Sequence, residues 1–172
     1  MPDILLTTLN ARYAHSAFGL RYLRANMGEL IDRTEIAEFN IGDHAVDVLD
    51  AIIARNPRVV GVGVYIWNVE QVTKLVADLK RVKPDVVVII GGPEVSYELD
   101  DQEIVRLADY VITGEADVAF AKTCERILAG EHPAVQVIAA DAPVLGVLTL
   151  PYADYTDEDI ARRVIYVEAS RG

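Results

Sequence analysis

The residues of this 172-residue chain that could do chemistry stand just behind short apolar runs. Val86 to Ile90 is continuously apolar and mostly β-branched, and it ends on Gly91-Gly92-Pro93-Glu94. Such a run reads as a strand buried on both faces of a parallel sheet, with the glycine pair at its carboxyl end. In open α/β sheets that edge is where ligands bind, and residues without Cβ let the main chain approach a ligand or turn with positive φ. The pair is therefore either part of a binding site or a strand-to-loop turn. Behind the other runs stand Asn10, Arg12, Tyr13, His15 and Ser16, then Tyr65, Ile66, Trp67 and Asn68, then Gly114 and Glu115. Uncharged hydrogen-bonding and aromatic groups dominate this rim. It suits a large, flat, amide-decorated organic ligand better than a compact phosphate or a metal.

Each of these residues also has a plainer reading. Trp67, the single tryptophan, is either a packing aromatic or a ligand-facing one that shares its edge with Tyr65 and Asn68. Asn68 caps the helix that follows or touches the ligand. Arg12 is a lone cation for an anionic group or a surface ion pair. Glu115 reads as a first-turn helix residue favoured by the macrodipole. No histidine, serine or cysteine can be set beside Glu94 or Glu115, so the chain alone is expected to catalyse nothing.

Other ligand classes fail on motif. The only G-x-G, Gly61 and Gly63, lies inside a strand-like run, with Ile66 where a dinucleotide site needs its third glycine. There is no Gly-Lys-Ser/Thr of a phosphate-binding loop, and a phosphoacceptor domain would need acidic residues where Thr7-Thr8-Leu9-Asn10 and Val64-Tyr65-Ile66-Trp67 stand. Acidic residues outnumber basic ones 27 to 16, for a net charge of -11, so nucleic acid and anionic membranes are not expected partners. A single cysteine, Cys124, allows neither an internal disulfide nor a cysteine-based metal site. With no signal-peptide pattern and no apolar run of about 20 residues, a cytoplasmic protein is expected.

Holding these residues at one edge takes alternating strands and helices. Strand-like runs at 3–8, 34–40, 58–64, 85–90 and 109–113 alternate with helical spacing at 16–31, 44–55, 68–83, 100–107 and 115–129, with Ser16 as the first N-cap. That alternation predicts a flavodoxin-like (Rossmann-like) α/β domain over 1–130: a doubly wound, five-stranded parallel sheet with helices on both faces. Residues 131–163 read as an extra strand near 134–139 and a linker, whose acidic run Asp154, Asp157, Glu158 and Asp159 is expected to be solvated. Val164 to Glu168 reads as a fresh strand that stops abruptly, which predicts that a further domain has been cut off.

A family resemblance covers nearly the whole chain. Gly61-Val62-Gly63-Val64-Tyr65-Ile66-Trp67-Asn68, Ile89-Ile90-Gly91-Gly92-Pro93-Glu94 and Asp109-Tyr110-Val111-Ile112-Thr113-Gly114-Glu115 resemble the amino-terminal cobalamin (vitamin B12)-binding domain of cobalamin-dependent radical S-adenosylmethionine proteins. Pro151-Tyr152, Tyr155 to Asp159 and Val167 to Gly172 resemble that family's approach to its first barrel strand, just before the cysteines that hold a 4Fe-4S cluster. The resemblance implies cobalamin on this domain. It also implies a 4Fe-4S cluster and S-adenosylmethionine on a carboxyl-terminal partner domain, and methyl transfer or related radical chemistry by the pair. Arg12 would then face the cofactor's phosphate. Many such domains carry D-x-H-x-x-G after the first strand, whose histidine is the lower cobalt ligand. This chain has no aspartate two residues before His15, and Gly19 comes one position late, so His15 is expected to be a loop hydrogen-bonding residue and no metal ligand. The rival expectation is a scaffold domain that keeps the fold and has lost the cofactor.

Overall fold

The computed structural model describes residues 1–168. Its centre is one parallel sheet of β1 (Ile4–Asn10), β2 (Thr34–Asn40), β3 (Val59–Gly63), β4 (Val87–Gly91), β5 (Tyr110–Gly114) and β6 (Val137–Ala140), in the order β2-β1-β3-β4-β5-β6. The parallel doubly wound fold is as the alternation predicts. The sheet has six strands, however, not five: β6 pairs with β5 from Val111↔Val137 to Gly114↔Ala140 and extends the far edge. Its short run was legible only as an optional strand, because two of its four side chains are exposed and it lacks the unbroken apolar signature of the central strands.

Burial explains those central runs. Every residue of β1 is buried, including Thr7 and Thr8, whose hydroxyls donate to the Ala37 and Gly63 carbonyls at 2.7 and 2.8 Å. Helices α2 (Ala45–Arg55), α3 (Val69–Val82) and α4 (Glu103–Leu107) cover one face of the sheet, and α1 (Phe18–Ala25) and α5 (Asp117–Leu128) cover the other. On α3 the buried positions Val72, Leu75, Val76 and Leu79 form a single stripe, as helical spacing requires. α2 stops at Asn56, which takes a left-handed conformation just before Pro57. Since β1 pairs with both β2 and β3, the chain winds outward in opposite senses from β1, and a crevice opens at the carboxyl ends of β1 and β3.

Three local expectations change. The first helix ends at Ala25 and is followed by a 3-10 segment at Gly28–Arg33, and Ser16 does not cap it: its hydroxyl donates to the Val164 carbonyl at 3.0 Å. The acidic stretch is solvated only in part, at Asp157 and Glu158. Thr156 closes a capping box with Asp159 at the start of α6 (Asp157–Arg162), and the Asp154 and Asp159 side chains are buried in ion pairs with Arg24 and Arg21. The strand expected from Val164 is reduced to a single parallel bridge with His15, and 169–172 lie outside the described residues. Among the described residues no helix is long and apolar enough to cross a membrane.

Cys124 faces the α5 core, fully buried, and burial followed by the Glu125 charge pushes its thiol up, away from the reactive thiolate. In native buffer Cys124 should fail to react with an aromatic disulfide reagent over hours, then titrate fully in denaturant, as followed by thiolate absorbance.

Candidate functional site at the sheet switch point

A slot of about 340 Å³ runs from the crevice down between the sheet and helices α1 and α5. Gly61, Gly63 and Gly91 lie along its sheet side, Phe18, Gly19 and Leu23 on the α1 side, and Ala116 and Phe120 on the α5 side. Two of these glycines let neighbouring side chains pack close against the sheet. A Cβ on Gly61 would lie 2.7 Å from the Phe120 ring, and one on Gly63 would lie 3.3 Å from both the Thr8 hydroxyl and the Tyr65 ring. Tyr65 stands at the mouth, bordering both the slot and a second hollow of about 390 Å³ shared by His15, Trp67 and Tyr166. Its ring stacks on Trp67 with centroids 4.5 Å apart and planes 7° apart. Burial, then the Glu38 charge, raises the Tyr65 phenol above its ordinary value, so it stays a hydrogen-bond donor at neutral pH.

Asn68 builds the mouth without lining it. Fully buried, it accepts from the Tyr65 N–H at 2.8 Å through Oδ1, and its Nδ2 donates to Thr8 Oγ1, the Leu9 carbonyl and the Gly63 carbonyl at 3.1 to 3.2 Å. It neither caps α3 through its side chain nor reaches the slot; it ties the end of β1 to the turn after β3. Gly92 has a comparable framework role. Its φ of +119° and the 2.4 Å that would separate a Cβ from the Val64 carbonyl leave room for no side chain. The turn reading thus holds for Gly92, while both it and Gly91 also border the slot.

The remaining predicted positions divide. Gly114 and Glu115 line the slot, whereas Ile66 and Trp67 are exposed on the rim. Asn10 is buried and donates to the His15 carbonyl and to Glu38, each at 3.0 Å. His15 meets the Tyr166 hydroxyl through Nδ1. Tyr13 lies under the Arg163 guanidinium, 4.6 Å from its ring centroid, and Arg12 is exposed. Pro93 is exposed, and Glu94 faces a separate groove with Glu98, Asp100 and Asp101, away from the slot. Several lining residues escaped sequence reasoning, among them Phe18, Gly19, Phe120 and Glu168. Only the fold brings α1, α5 and the tail together; an aromatic-glycine pair at a helix start was the one local sign.

A family profile described as the B12 binding domain matches residues 4–123. No curated protein matches the chain. Among solved structures, the radical S-adenosylmethionine methyltransferase TsrM from Kitasatospora setae is 18% identical, with TM-score 0.57, over 78% of this chain and 27% of its own. A cobalamin-binding protein from Desulfitobacterium hafniense DCB-2 is 22% identical, with TM-score 0.49, over 73% of this chain and 58% of its own. A CheY-like protein, tadZ, from Pseudomonas aeruginosa PAO1 is 18% identical, with TM-score 0.49, over 76% of this chain and 97% of its own. The methyltransferase shares the fold, and this chain corresponds to 27% of its length.

Two glycines at this site should respond to alanine with opposite signs. Gly92→Ala should lose about 2 kcal/mol or more in denaturant unfolding, since it forces a side chain against backbone at positive φ. A Cβ on Gly19, in the first turn of α1, meets only the Tyr65 hydroxyl, at 3.6 Å. Gly19→Ala should therefore gain about 0.5 kcal/mol from helix propensity.

Proposed function

We propose that this chain, which belongs to the B12-binding domain family, binds cobalamin across the carboxyl ends of β1, β3, β4 and β5. The observation that carries the proposal is the glycine-floored, largely apolar slot that opens at the sheet's switch point. Cobalamin is a flat, amide-bearing macrocycle with an appended aromatic base. The slot suits the base: its walls are the Phe18 and Phe120 rings with Leu23, and Gly61, Gly63 and Gly91 lie along its sheet side. The rim suits the macrocycle, with the exposed Ile66 and Trp67 side chains as an apolar ledge and the Gly91–Gly92 backbone beside it. When bound, the cobalt supplies methyl- or electron-transfer chemistry.

The chain's own residues bind and orient. Tyr65 offers a protonated phenol at the mouth. Asn10 and Asn68 hold the β1 and β3 loops in place, Arg12 is free to swing toward the phosphate from its exposed loop, and Glu115 with Gly114 closes the β5 side. His15 binds no cobalt in this reading. The D-x-H-x-x-G spacing that would present a histidine to the metal is absent, and the His15 Nδ1 is engaged with the Tyr166 hydroxyl.

The tail motifs from Pro151 onward support a larger protein in which this domain serves a radical S-adenosylmethionine partner domain with a 4Fe-4S cluster, in methyl transfer or related chemistry. The absence of D-x-H-x-x-G around His15 favours a second reading, a cofactor-free scaffold.

Incubation with hydroxocobalamin followed by desalting separates the two. The cofactor reading expects near-stoichiometric corrin absorbance in the protein fraction, and a colourless, folded protein overturns it. Gly19→Trp, which fills the slot mouth from a position with room for a side chain, should weaken retention by about tenfold or more with unchanged circular dichroism. The cob(II)alamin paramagnetic resonance spectrum should be the same in the parent and in His15→Ala; loss of a nitrogen splitting in the variant would assign His15 to the metal.

A further inference from the structure

Residues 151–168 fold back onto the site through a buried ion cluster. Arg21 of α1 lies between Glu38 of β2 at 2.9 Å and Asp159 of α6 at 3.1 Å, and Arg163 pairs with the same Glu38 at 2.8 Å. The cluster is neutral, with two guanidiniums facing two carboxylates. Burial pulls Asp159 toward protonation, but hydrogen bonds from Thr156 and Arg21 outweigh it and hold the carboxyl below its usual range. Its contribution is therefore complete at neutral pH and is lost only as the pH falls through that lowered pKa. Arg21 also lies over the Tyr155 ring, 4.8 Å from its centroid.

Beyond the cluster the segment runs along the mouth. Val164 donates its N–H to the Ala14 carbonyl at 2.8 Å and accepts from Ser16. Tyr166 meets His15 and lies 6.4 Å, centroid to centroid, from Phe18, a wall of the slot. Tyr166 borders the second hollow, and Glu168 borders the slot itself. Some buried polar atoms of the attachment lack a hydrogen-bond partner: Arg21 Nε on the body, and Asp154 Oδ2 and Arg163 Nε on the segment, the last only in ion-pair range of Asp159 at 3.4 Å. A partly satisfied polar cluster fixes geometry more than it adds stability, which leaves the attachment open to being tipped by what lies beneath it.

We propose that residues 151–168 are a strap that completes the ligand site, with Tyr166 and Glu168 as its fourth wall, and that strap docking and ligand binding reinforce one another. The inference rests on the cobalamin reading above. Linkage makes the reinforcement reciprocal: whatever factor the docked strap adds to affinity, the ligand returns as resistance to undocking.

Asp159→Asn isolates the docking. With that charge removed, the docked state holds two guanidiniums against one carboxylate, whereas the released state sends Arg163 to water and keeps Arg21 with Glu38; the core is untouched. Tyr166→Ala isolates the wall, since the ion cluster remains. The full chain and both variants would be titrated with hydroxocobalamin, and tryptic cleavage after Arg162 and Arg163 followed by mass, with and without the cofactor. The proposal expects slower cleavage of the parent when cofactor is present, faster cleavage of Asp159→Asn without it, and affinity about tenfold weaker in both variants. A parent that binds while both variants bind equally well overturns the strap and leaves the cofactor reading intact. Unchanged cleavage of Asp159→Asn also overturns it. A parent that binds no hydroxocobalamin removes the cofactor reading and this inference with it.

Discussion

One carboxylate organises the region around the site. Glu38, near the end of the edge strand β2, accepts from the Asn10 amide, from the Ala17 N–H at the head of α1, and from the guanidiniums of Arg21 and Arg163. It thereby fixes the loop after β1, the start of the helix that walls the slot, and the segment that returns from beyond β6. Two cations and two carboxylates taken out of water contribute little net stability, because desolvation offsets most of their attraction. What the cluster contributes is registration: α1 and α6 have one way to satisfy their buried charges against β2. The slot's width depends on where α1 sits, so it depends on Glu38.

The sheet supplies the complementary constraint. The chain leaves β1 and β3 toward opposite faces of the sheet, so the polar groups at their carboxyl ends, where the crevice opens, need other partners. Thr8 and Asn68 provide them, joining β1 to β3 by side chain where the ladder ends. The same pair holds Tyr65 upright through its backbone N–H, so a hydrogen-bond requirement of the fold and the position of the mouth's aromatic residue are one arrangement.

The fold was far more legible than the site. Continuous β-branched runs such as Val86 to Ile90, the helical stripe of α3 and the stops at Pro57 and Pro84 are local signals, and the elements they mark stand within a few residues of where they read. β6 and the 3-10 turn after α1 lacked such a signal. At the site, the strand-end residues could be placed at the correct edge because a parallel sheet brings all carboxyl ends together. Their roles could not. Asn68 and Gly92 each had a framework reading beside a contact one, and sequence could not weigh them because Leu9 and Val64 meet them only in the folded chain; Gly92 both shapes its turn and borders the slot. Glu94 sits beside the glycine pair in sequence yet points into another groove. Asp154 and Asp159 read as solvated because sequence pattern cannot show that Arg24 and Arg21, some 130 residues earlier, await them.

Trp67 gives the molecule an optical property. It is the only indole in the chain, it is about half exposed, and it is stacked on Tyr65 at the rim rather than in the core. Its emission therefore samples the mouth of the slot almost exclusively. A chromophore absorbing in the near ultraviolet and settling on that ledge would drain the excited state over a distance of one van der Waals contact, so occupancy is readable from the unlabelled protein in real time, without perturbing the arrangement being read.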